Sequence, residues 1–589
     1  MPSIRTLRDG LLEQEVFLLQ KAGYHVESQD LQDETFWVLN VLAPDEKTGV
    51  GPLRLSITLP SSYPLLPPRV STKDVDLAHH QHPFAKDLCL LERSTENWIP
   101  EWHLAGLLDN QLKRAVAAGR AVQGQGRDEF QQGEPYSAYY AYADSAGFLI
   151  DSERANIPIG ASGDLEASFT QTVGRAQRLL IILDRLIKGG EVAYEAPVGL
   201  HAAFSPHTPV KLTGRWSALE KPPATSDARE IWELARNADF QGTRPNHFRQ
   251  SNGTSHAIEV RAVAFPEEHG WKVTGTGWIL VVKEPGGVHK PKRASKKATV
   301  GNRSPDTYKL VRAYRAGPSD LMYRAPETHG LENKSVAVLG CGAIGSVLVE
   351  QLCRAGVGEF HLLDEDTLEP GNLARHAGAL DTMCIDKSAA LAHRISQINP
   401  YADAKPMKFH IGQAALVEGE SETEILTRLF SSVDLVIDAT VEVGVQQYTS
   451  LIARDVGTTW ISLEGSPGVG GGSVVSIRAD SDACFACFQW HQYEGSIPEA
   501  TAVESALVQP IGCAAPTFTG TGFDLAVIAL QAARVAVGSL LSSNPAGYPQ
   551  DGYDAHILSL RERDGRPIPP TWRGFAVTRH PKCSAHEVT

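Results

Sequence analysis

Cys89 closes the stretch His82-Pro83-Phe84-Ala85-Lys86-Asp87-Leu88-Cys89, and Trp98-Ile99-Pro100 follows it. Much further along, the chain runs Val336-Ala337-Val338-Leu339-Gly340-Cys341-Gly342-Ala343-Ile344-Gly345. Gly340, Gly342 and Gly345 have the spacing G-x-G-x-x-G, which allows a tight turn and close backbone approach to phosphate. A helix after such a turn offers free N–H groups to an anion. Asp364 ends the next apolar run, where an acidic residue would hydrogen-bond a ribose hydroxyl. A thioester does not form from a free carboxylate without activation. A reactive thiol and a nucleotide site together are the minimum for that chemistry. The glycine spacing alone fits an NAD-dependent dehydrogenase equally well.

Other cysteines sort by spacing. Cys484-Phe485-Ala486-Cys487 is a C-x2-C and Cys583-Ser584-Ala585-His586 a C-x2-H. Two short ligand pairs far apart in sequence suit a tetrahedral zinc site of the Cys3His type, with His580 the alternative imidazole, and a redox pair at 484/487 or a catalytic role for Cys484 or Cys487 the competing chemistry. Cys513 lies in Gln509-Pro510-Ile511-Gly512-Cys513-Ala514, ahead of the helical pattern Asp524–Leu540. A thiol near a helix N-terminus has its pKa lowered, and the thiolate is the nucleophile. Cys341, Cys353 and Cys384 read as small hydrophobes without chemistry.

The elements that must position these groups fall into three stretches. Residues 4–22 and 104–122 have helical spacing and enclose strand-like runs at 36–41 and 53–59. Between them Pro60, Pro64, Pro67 and Pro68 forbid helix or central strand, so an ordered crossing loop is expected. Residues 150–285 carry no motif; the spacing predicts a helix over Ala167–Lys188 and strands at 258–263 and 277–282. Residues 285–304, with Lys290, Lys292, Arg293, Lys296 and Lys297, read as a basic linker. From about 305 strand, glycine turn, helix and strand alternate, which argues for a parallel, doubly wound sheet. The expected architecture is multi-domain α/β: an α+β domain over 1–145, a central α+β domain and linker over 146–304, and a Rossmann-like domain over 305–589. The 589 residues carry a net charge of −14, which disfavours a general nucleic-acid role. No apolar run approaching the ~20 residues of a membrane span stands out, and Met1-Pro2-Ser3-Ile4-Arg5 lacks a signal-peptide pattern. A cytoplasmic location is expected, with the eight cysteines as thiols or ligands rather than disulfides.

Two resemblances sharpen this reading. Asp364-Glu365-Asp366, then Asn372-Leu373-Ala374-Arg375 and Lys387, following the glycine loop, resemble the adenylation domain of ubiquitin-activating enzymes and bacterial sulfur-carrier activators, over roughly 320–589. The resemblance implies ATP held by Gly340, Gly342, Gly345, Asp364, Asn372, Arg375 and Lys387, with Arg375 and Lys387 neutralising the triphosphate. It places Mg2+ on Asp438 or Glu442, since Val441 stands where the family has a second Asp. It places a catalytic cysteine in the interval that Cys513 occupies. It also implies a homodimer, with Arg312, Arg315 and Arg324 as candidates for an arginine donated across it. Tyr63-Pro64, Pro67-Pro68, His82-Pro83, Leu88-Cys89-Leu90 and Trp98-Ile99-Pro100 resemble ubiquitin-conjugating enzymes over about 1–140. That implies Cys89 as thioester carrier. Phe84 replaces the family's Asn, and His79, His80 and His82 are candidate proton acceptors. Both domains in one chain resemble the activating–conjugating fusions of CBASS antiviral operons. There the activated C-terminus belongs to a cGAS/DncV-like nucleotidyltransferase. The implied activity is ATP-dependent adenylation, thioester transfer through Cys513 to Cys89, and conjugation to a target. The alternatives are a sulfur-carrier adenylyltransferase and a degenerate scaffold.

Overall fold

A computed structural model describes residues 10–586 except 33–35, 92–97, 121–132, 156, 173–177, 205–206, 237–244, 250–254, 271–272, 287–304, 413–418, 504–506 and 509–516. The chain divides into two compact units, Met1–Glu195 with Thr208–Arg315, and Ala196–His207 with Ala316–Thr589. Residues 287–304 of the expected basic linker, with all its lysines and arginines, and Cys513 fall outside the described residues.

In the first unit, α1 (Leu11–Lys21) precedes an antiparallel meander of β1 (His25–Gln32), β2 (Phe36–Ala43), β3 (Leu53–Leu59) and β4 (Arg69–Ser71). Alternate residues of β2 and β3, Leu39, Val41, Leu55 and Ile57 among them, are buried. They meet Leu104, Leu107, Leu108 and Leu112 of α2 (His103–Arg120), which recur at helical spacing. The proline-rich crossing loop is ordered as expected. The Tyr63 hydroxyl donates to buried Glu15 at 2.6 Å, and Trp98 Nε1 donates to the Pro64 carbonyl at 2.6 Å. Glu15 also receives the Leu104 N–H and contacts His103, so its buried charge is satisfied.

The central part of this unit is mostly strand. Along the sheet, β10 (Asn246–Arg249), β11 (Ser255–Gly270), β12 (Val273–Glu284), β13 (Thr307–Arg315), β5 (Ala146–Ile150), β7 (Arg178–Lys188), β6 (Ser162–Thr172) and β9 (Val210–Ala218) are neighbours. β8 (Glu191–Glu195) hangs on β7, and β9 pairs back onto β11, so the sheet closes on itself. Two expectations are corrected. The helix expected over Ala167–Lys188 is two antiparallel strands, β6 and β7. Ile181, Ile182 and Leu183 are all fully buried, and a strand covered on both faces reads as a continuous apolar run that hides its period. The boundary expected at 304 also moves, because β13 pairs with β12 and β5 and carries the central sheet to Arg315. Within the described residues of that sheet's span, helix is limited to α3 (Ala228–Leu234) and short turns.

The second unit holds β14 (Ser335–Leu339), α4 (Ala343–Ala355), β15 (Glu359–Asp364), α5 (Lys387–Ile398), β16 (Asp403–Lys408), α6 (Glu422–Ser431), β17 (Leu435–Asp438), α7 (Val443–Val456) and β18 (Thr459–Gly465). The parallel strand order β16-β15-β14-β17-β18 is the doubly wound order the alternation predicted. β19 (Gly471–Ile477), α8 (Phe485–Tyr493), β20 (Leu507–Val508), β21 (Thr517–Phe518), α9 (Gly522–Leu540), β22 (Ala555–Arg561) and β23 (Pro567–Phe575) follow. β19, β22 and β23 extend the sheet antiparallel, an extension the pattern did not reveal. Side chains alternate between faces: Val336 and Val338 pack with α4, α5 and α9, whereas Ala337 and Leu339 pack with α6, α7 and α8. Contrary to the sequence expectation, α9 is long and apolar enough to cross a membrane. Here Leu525, Ile528, Ala532 and Ala536 are buried in the core instead.

Candidate active sites and metal centre

The glycine loop sits where the sheet order reverses, at the C-terminal end of β14. Gly340 has φ +85°, and a side chain there would meet the backbone of Ala439 at 2.7 Å. A side chain at Gly345 would lie 2.0 Å from the Gly340 carbonyl. These two positions therefore require glycine, whereas Gly342 faces open space and starts α4. Cys341 is the junction of three segments. Its N–H donates to Asp364 at 2.7 Å, and its carbonyl accepts from His376 Nε2 at 2.9 Å. His376 Nδ1 accepts the Gly378 N–H at 2.7 Å, which fixes the neutral tautomer. Burial holds its pKa below the ordinary histidine value. Asp364 also accepts the Asp366 N–H at 2.8 Å; burial pushes its pKa up, opposed by that N–H, Lys387 and the Cys341 N–H. Lys387, the first residue of α5, pairs with Asp366 at 2.6 Å. Asn372 Oδ1 caps the Glu369 N–H at 2.9 Å and so shapes the turn leading to Arg375. Arg375 lines a cavity of about 380 Å3 with His376, Gly522 and Phe523, beside α4 and α9.

Asp438 ends β17 and is fully buried. One oxygen accepts from the Thr440 N–H at 3.1 Å and hydroxyl at 2.6 Å, the other from the Thr449 hydroxyl at 2.6 Å. Burial pushes its pKa up. It braces the loop that crosses behind Gly340. Glu442 is exposed at the start of α7 and leaves its carboxylate open to solvent. Val441 between them has φ +63°, a strained conformation for a β-branched residue.

Cys484, Cys487, Cys583 and His586 converge, their ligand atoms all within 4.8 Å of one another. Sγ–Sγ separations are 3.8 Å for 484/487 and 3.6 Å for 484/583. A metal–sulfur bond of about 2.3 Å in a tetrahedron gives sulfur–sulfur edges of about 3.8 Å, whereas a disulfide needs about 2.05 Å. The donor set thus fits a four-coordinate soft-metal site and not a redox bridge. His580 is not a ligand: its N–H donates to Cys487 Sγ at 3.3 Å, and its ring stacks on Trp490 and contacts Glu494. N–H bonds to metal-binding sulfur orient such ligands.

Cys89 is exposed in the first unit, and its N–H donates to the His80 carbonyl at 2.8 Å. The turn before it is built by His82, whose Nδ1 accepts the N–H groups of Phe84 and Ala85 at 3.1 and 3.0 Å. Phe84 does not point where an amide would serve chemistry. Its ring meets Tyr140 at 5.2 Å and Tyr136 at 5.7 Å and packs onto the Phe265 cluster of the central sheet. The same segment brings Glu134, which accepts the His80 N–H at 2.9 Å and the Tyr139 hydroxyl at 3.1 Å. His79 pairs with Glu268 of β11 at 2.7 Å. Burial, then Glu134 and Asp87, push the Cys89 thiol above its ordinary value.

Residues 320–583 match the ThiF family and residues 24–148 match Prokaryotic E2 family B. Protein y4oA of Sinorhizobium fredii is 28% identical over 577 residues, covering 94% of this chain and 93% of that protein. Protein y4qC of the same organism is 30% identical over 572 residues, covering 94% of this chain and 91% of that protein. The chain belongs to this family of prokaryotic E2–ThiF fusion proteins. The fusion is an ATP-dependent enzyme of the ubiquitin-like activating and transferring class. It is also similar to the "ATP-dependent ubiquitin transferase-like protein Cap2" of Vibrio cholerae, 29% identical over 266 residues, 43% of this chain and 42% of that protein.

Of the residues singled out in the sequence, Gly340, Gly345, Asp364, Asn372 and Lys387 gather around the Cys341 junction, with Asp438 behind it. Cys484, Cys487, Cys583 and His586 gather at the second centre. Arg312 and Arg315 lie in β13 of the fusion's central sheet, while Arg324 belongs to the second unit. β20 and β21 pair on either side of residues 509–516, the undescribed segment that holds Cys513. Sequence reasoning missed His376 and the Glu134–Tyr139 pair. Its one available sign for the latter was the dense tyrosine run Tyr136, Tyr139, Tyr140, Tyr142.

Proposed function

We propose that the fusion activates the C-terminal carboxylate of a partner protein with ATP and passes the acyl group through Cys513 and then Cys89 to an amine. The observation that carries this reading is the convergence of the glycine loop, Asp364 and the Asn372–His376 turn on Cys341, in a chain that also presents exposed Cys89. In this reading the backbone N–H groups at the start of α4 and the Lys387 cation hold the phosphates, and Asp364 holds the ribose. The carboxylate oxygen attacks the α-phosphate and pyrophosphate leaves. Lys387 and Arg375 offset the anionic charge brought together there. Thioester exchange is close to isoenergetic, so adenylation supplies the driving force.

For Mg2+, enclosed Asp438 fits the role of brace, and open Glu442 is the carboxylate that would hold the ion. For the Cys3His set, Zn2+ is the fitting ion; it would tie the C-terminal tail to α8. Similarity to Cap2 supports a role in antiviral defence, with a cGAS/DncV-like nucleotidyltransferase as the activated partner and a homodimer as the working form. The E2-like domain speaks against a sulfur-carrier activator, which has no use for it.

The relay is tested with Cys89→Ser and Cys513→Ser in the full chain, incubated with ATP, Mg2+ and a cGAS/DncV-like nucleotidyltransferase. A thiol-sensitive adduct on Cys513 is expected in the first variant and no loading of Cys89 in the second. Normal loading of Cys89 without Cys513 would refute the relay.

A further inference from the structure

We infer that Glu134, supplied by the segment beyond the last conjugating motif, is the proton acceptor for the amine that attacks the Cys89 thioester. The inference rests on the reading of Cys89 as acyl carrier and names the group that completes its site.

The position of Glu134 follows from a short chain of contacts. Cys89 N–H binds the His80 carbonyl, and the His80 N–H binds Glu134 Oε1 at 2.9 Å. The Tyr139 hydroxyl holds the other oxygen at 3.1 Å, and the Glu134 N–H is itself held by Glu268 at 3.3 Å. The carboxylate is therefore oriented from both sides rather than free to rotate away. Its side chain retains 19% exposure, and Cys89 is exposed, so an acceptor can reach both. Electrostatics agree with the placement: after burial, which is the larger cause for both, Glu134 raises the Cys89 thiol, and Glu134 and then Cys89 raise the Tyr139 hydroxyl. Groups facing Glu134 are His80, whose Nδ1 lies 3.8 Å away, Tyr139, Glu268 with its partner His79, and Cys89.

Two of the three nearby histidines are engaged elsewhere, and the third, His80, faces Glu134 itself. His82 Nδ1 accepts two backbone N–H groups, and His79 pairs with Glu268. Phe84 occupies the expected Asn position but faces the central cluster. An acidic group beside the thiol favours a cationic acceptor such as a lysine ammonium over a neutral hydroxyl. In the step, the amine nitrogen forms the new C–N bond to the acyl carbon and the C–S bond to Cys89 breaks. Before that, one proton of the lysine ammonium passes to Glu134 and on to solvent, and the remaining displaced N–H proton goes to the departing Cys89 sulfur, so the thiol and the carboxylate are both restored. General bases of this kind contribute about 10²–10⁴-fold.

The test uses the full chain and a fluorescent peptide ending in Gly-Gly, as its mercaptoethanesulfonate thioester, exchanged onto Cys89. Occupancy is read by mass spectrometry of the Cys89 peptide, and discharge is followed with free L-lysine or with hydroxylamine from neutral to alkaline pH. Glu134→Gln is expected to slow lysine discharge about 10²-fold at neutral pH, with the deficit shrinking as pH rises and lysine deprotonates in solution. Hydroxylamine, already unprotonated at neutral pH, should discharge the variant at close to the wild-type rate. Loading should be as fast or faster, because removing the Glu134 charge eases thiolate formation at Cys89. Tyr139→Phe keeps the ring against His82 and should fall between wild type and Glu134→Gln. Lysine discharge of Glu134→Gln at the wild-type rate would overturn the assignment. So would equal losses with lysine and hydroxylamine, which a merely structural role gives. Failure of wild-type Cys89 to take the acyl group at all would instead overturn the carrier reading beneath it.

Discussion

Replacing Phe84 tests whether the central sheet is part of the conjugating site. The ring is half-buried among Tyr136, Tyr140 and the Phe265 cluster. Truncating a fully buried phenylalanine to alanine costs about 3–5 kcal/mol. At half burial about 2 kcal/mol is expected, which is about 30-fold in a local docking equilibrium at about 1.4 kcal/mol per tenfold. The assay is hydrogen exchange at two amides that exist as bonded donors only while the segment is docked. The His80 N–H is held by Glu134, and the Ser137 N–H by Glu267 at 2.7 Å. In Phe84→Ala both should exchange about 30-fold faster, while amides of β14 and β17 stay unchanged. Phe84→Leu keeps most of the volume and should lose far less. Phe84→Asn restores the residue usual in conjugating enzymes, yet it places an amide among aromatic rings. It should therefore behave like Phe84→Ala and not gain activity. If Phe84→Asn leaves exchange untouched and speeds lysine discharge, Phe84 is a degenerate substitution and not an anchor.

Two further outcomes are expected. One zinc per chain should be found by elemental analysis, lost in Cys487→Ser and kept in His586→Cys; zinc retained by Cys487→Ser would refute the four-ligand assignment. His376 gives a pH dependence whose sign follows from its lowered pKa. A histidine depressed in the folded state stabilises it above the unfolded pKa of about 6.5, and that contribution is lost as pH falls through the lower folded value. Protonation would also put an Nδ1–H against the Gly378 N–H and so push the ring out of its place between Gly378 and Cys341. ATP affinity should fall on acidification below about 6.5 in the wild type and less steeply in His376→Gln, measured by calorimetry; identical profiles would refute the coupling.

Local chemistry in the sequence determined a good deal. Gly340 and Gly345 are glycines because a Cβ at either would collide with backbone, a constraint that spacing alone carries. A Cys-x2-Cys pair and a Cys-x2-His pair mark a candidate metal site because ligand pairs on tight turns are local objects, and only their meeting is tertiary. The strand alternation of β14, β15 and β17 was legible for the same reason: each strand packs both faces against helices that follow it in sequence. Period was lost in β6 and β7, where the closed central sheet buries consecutive residues. Tertiary structure alone decided what long-range contact creates. Glu134 and Tyr139 reach His80 and the Cys89 turn from outside the conjugating motifs, and no spacing rule links 134 to 80. Asp438 became an enclosed brace rather than an open ligand only when Thr449, on the following helix, took its second oxygen. The sequence marked Phe84 as a departure. The fold gives the reason, since an aromatic ring at that position finds its partners in a sheet the motif itself does not contain.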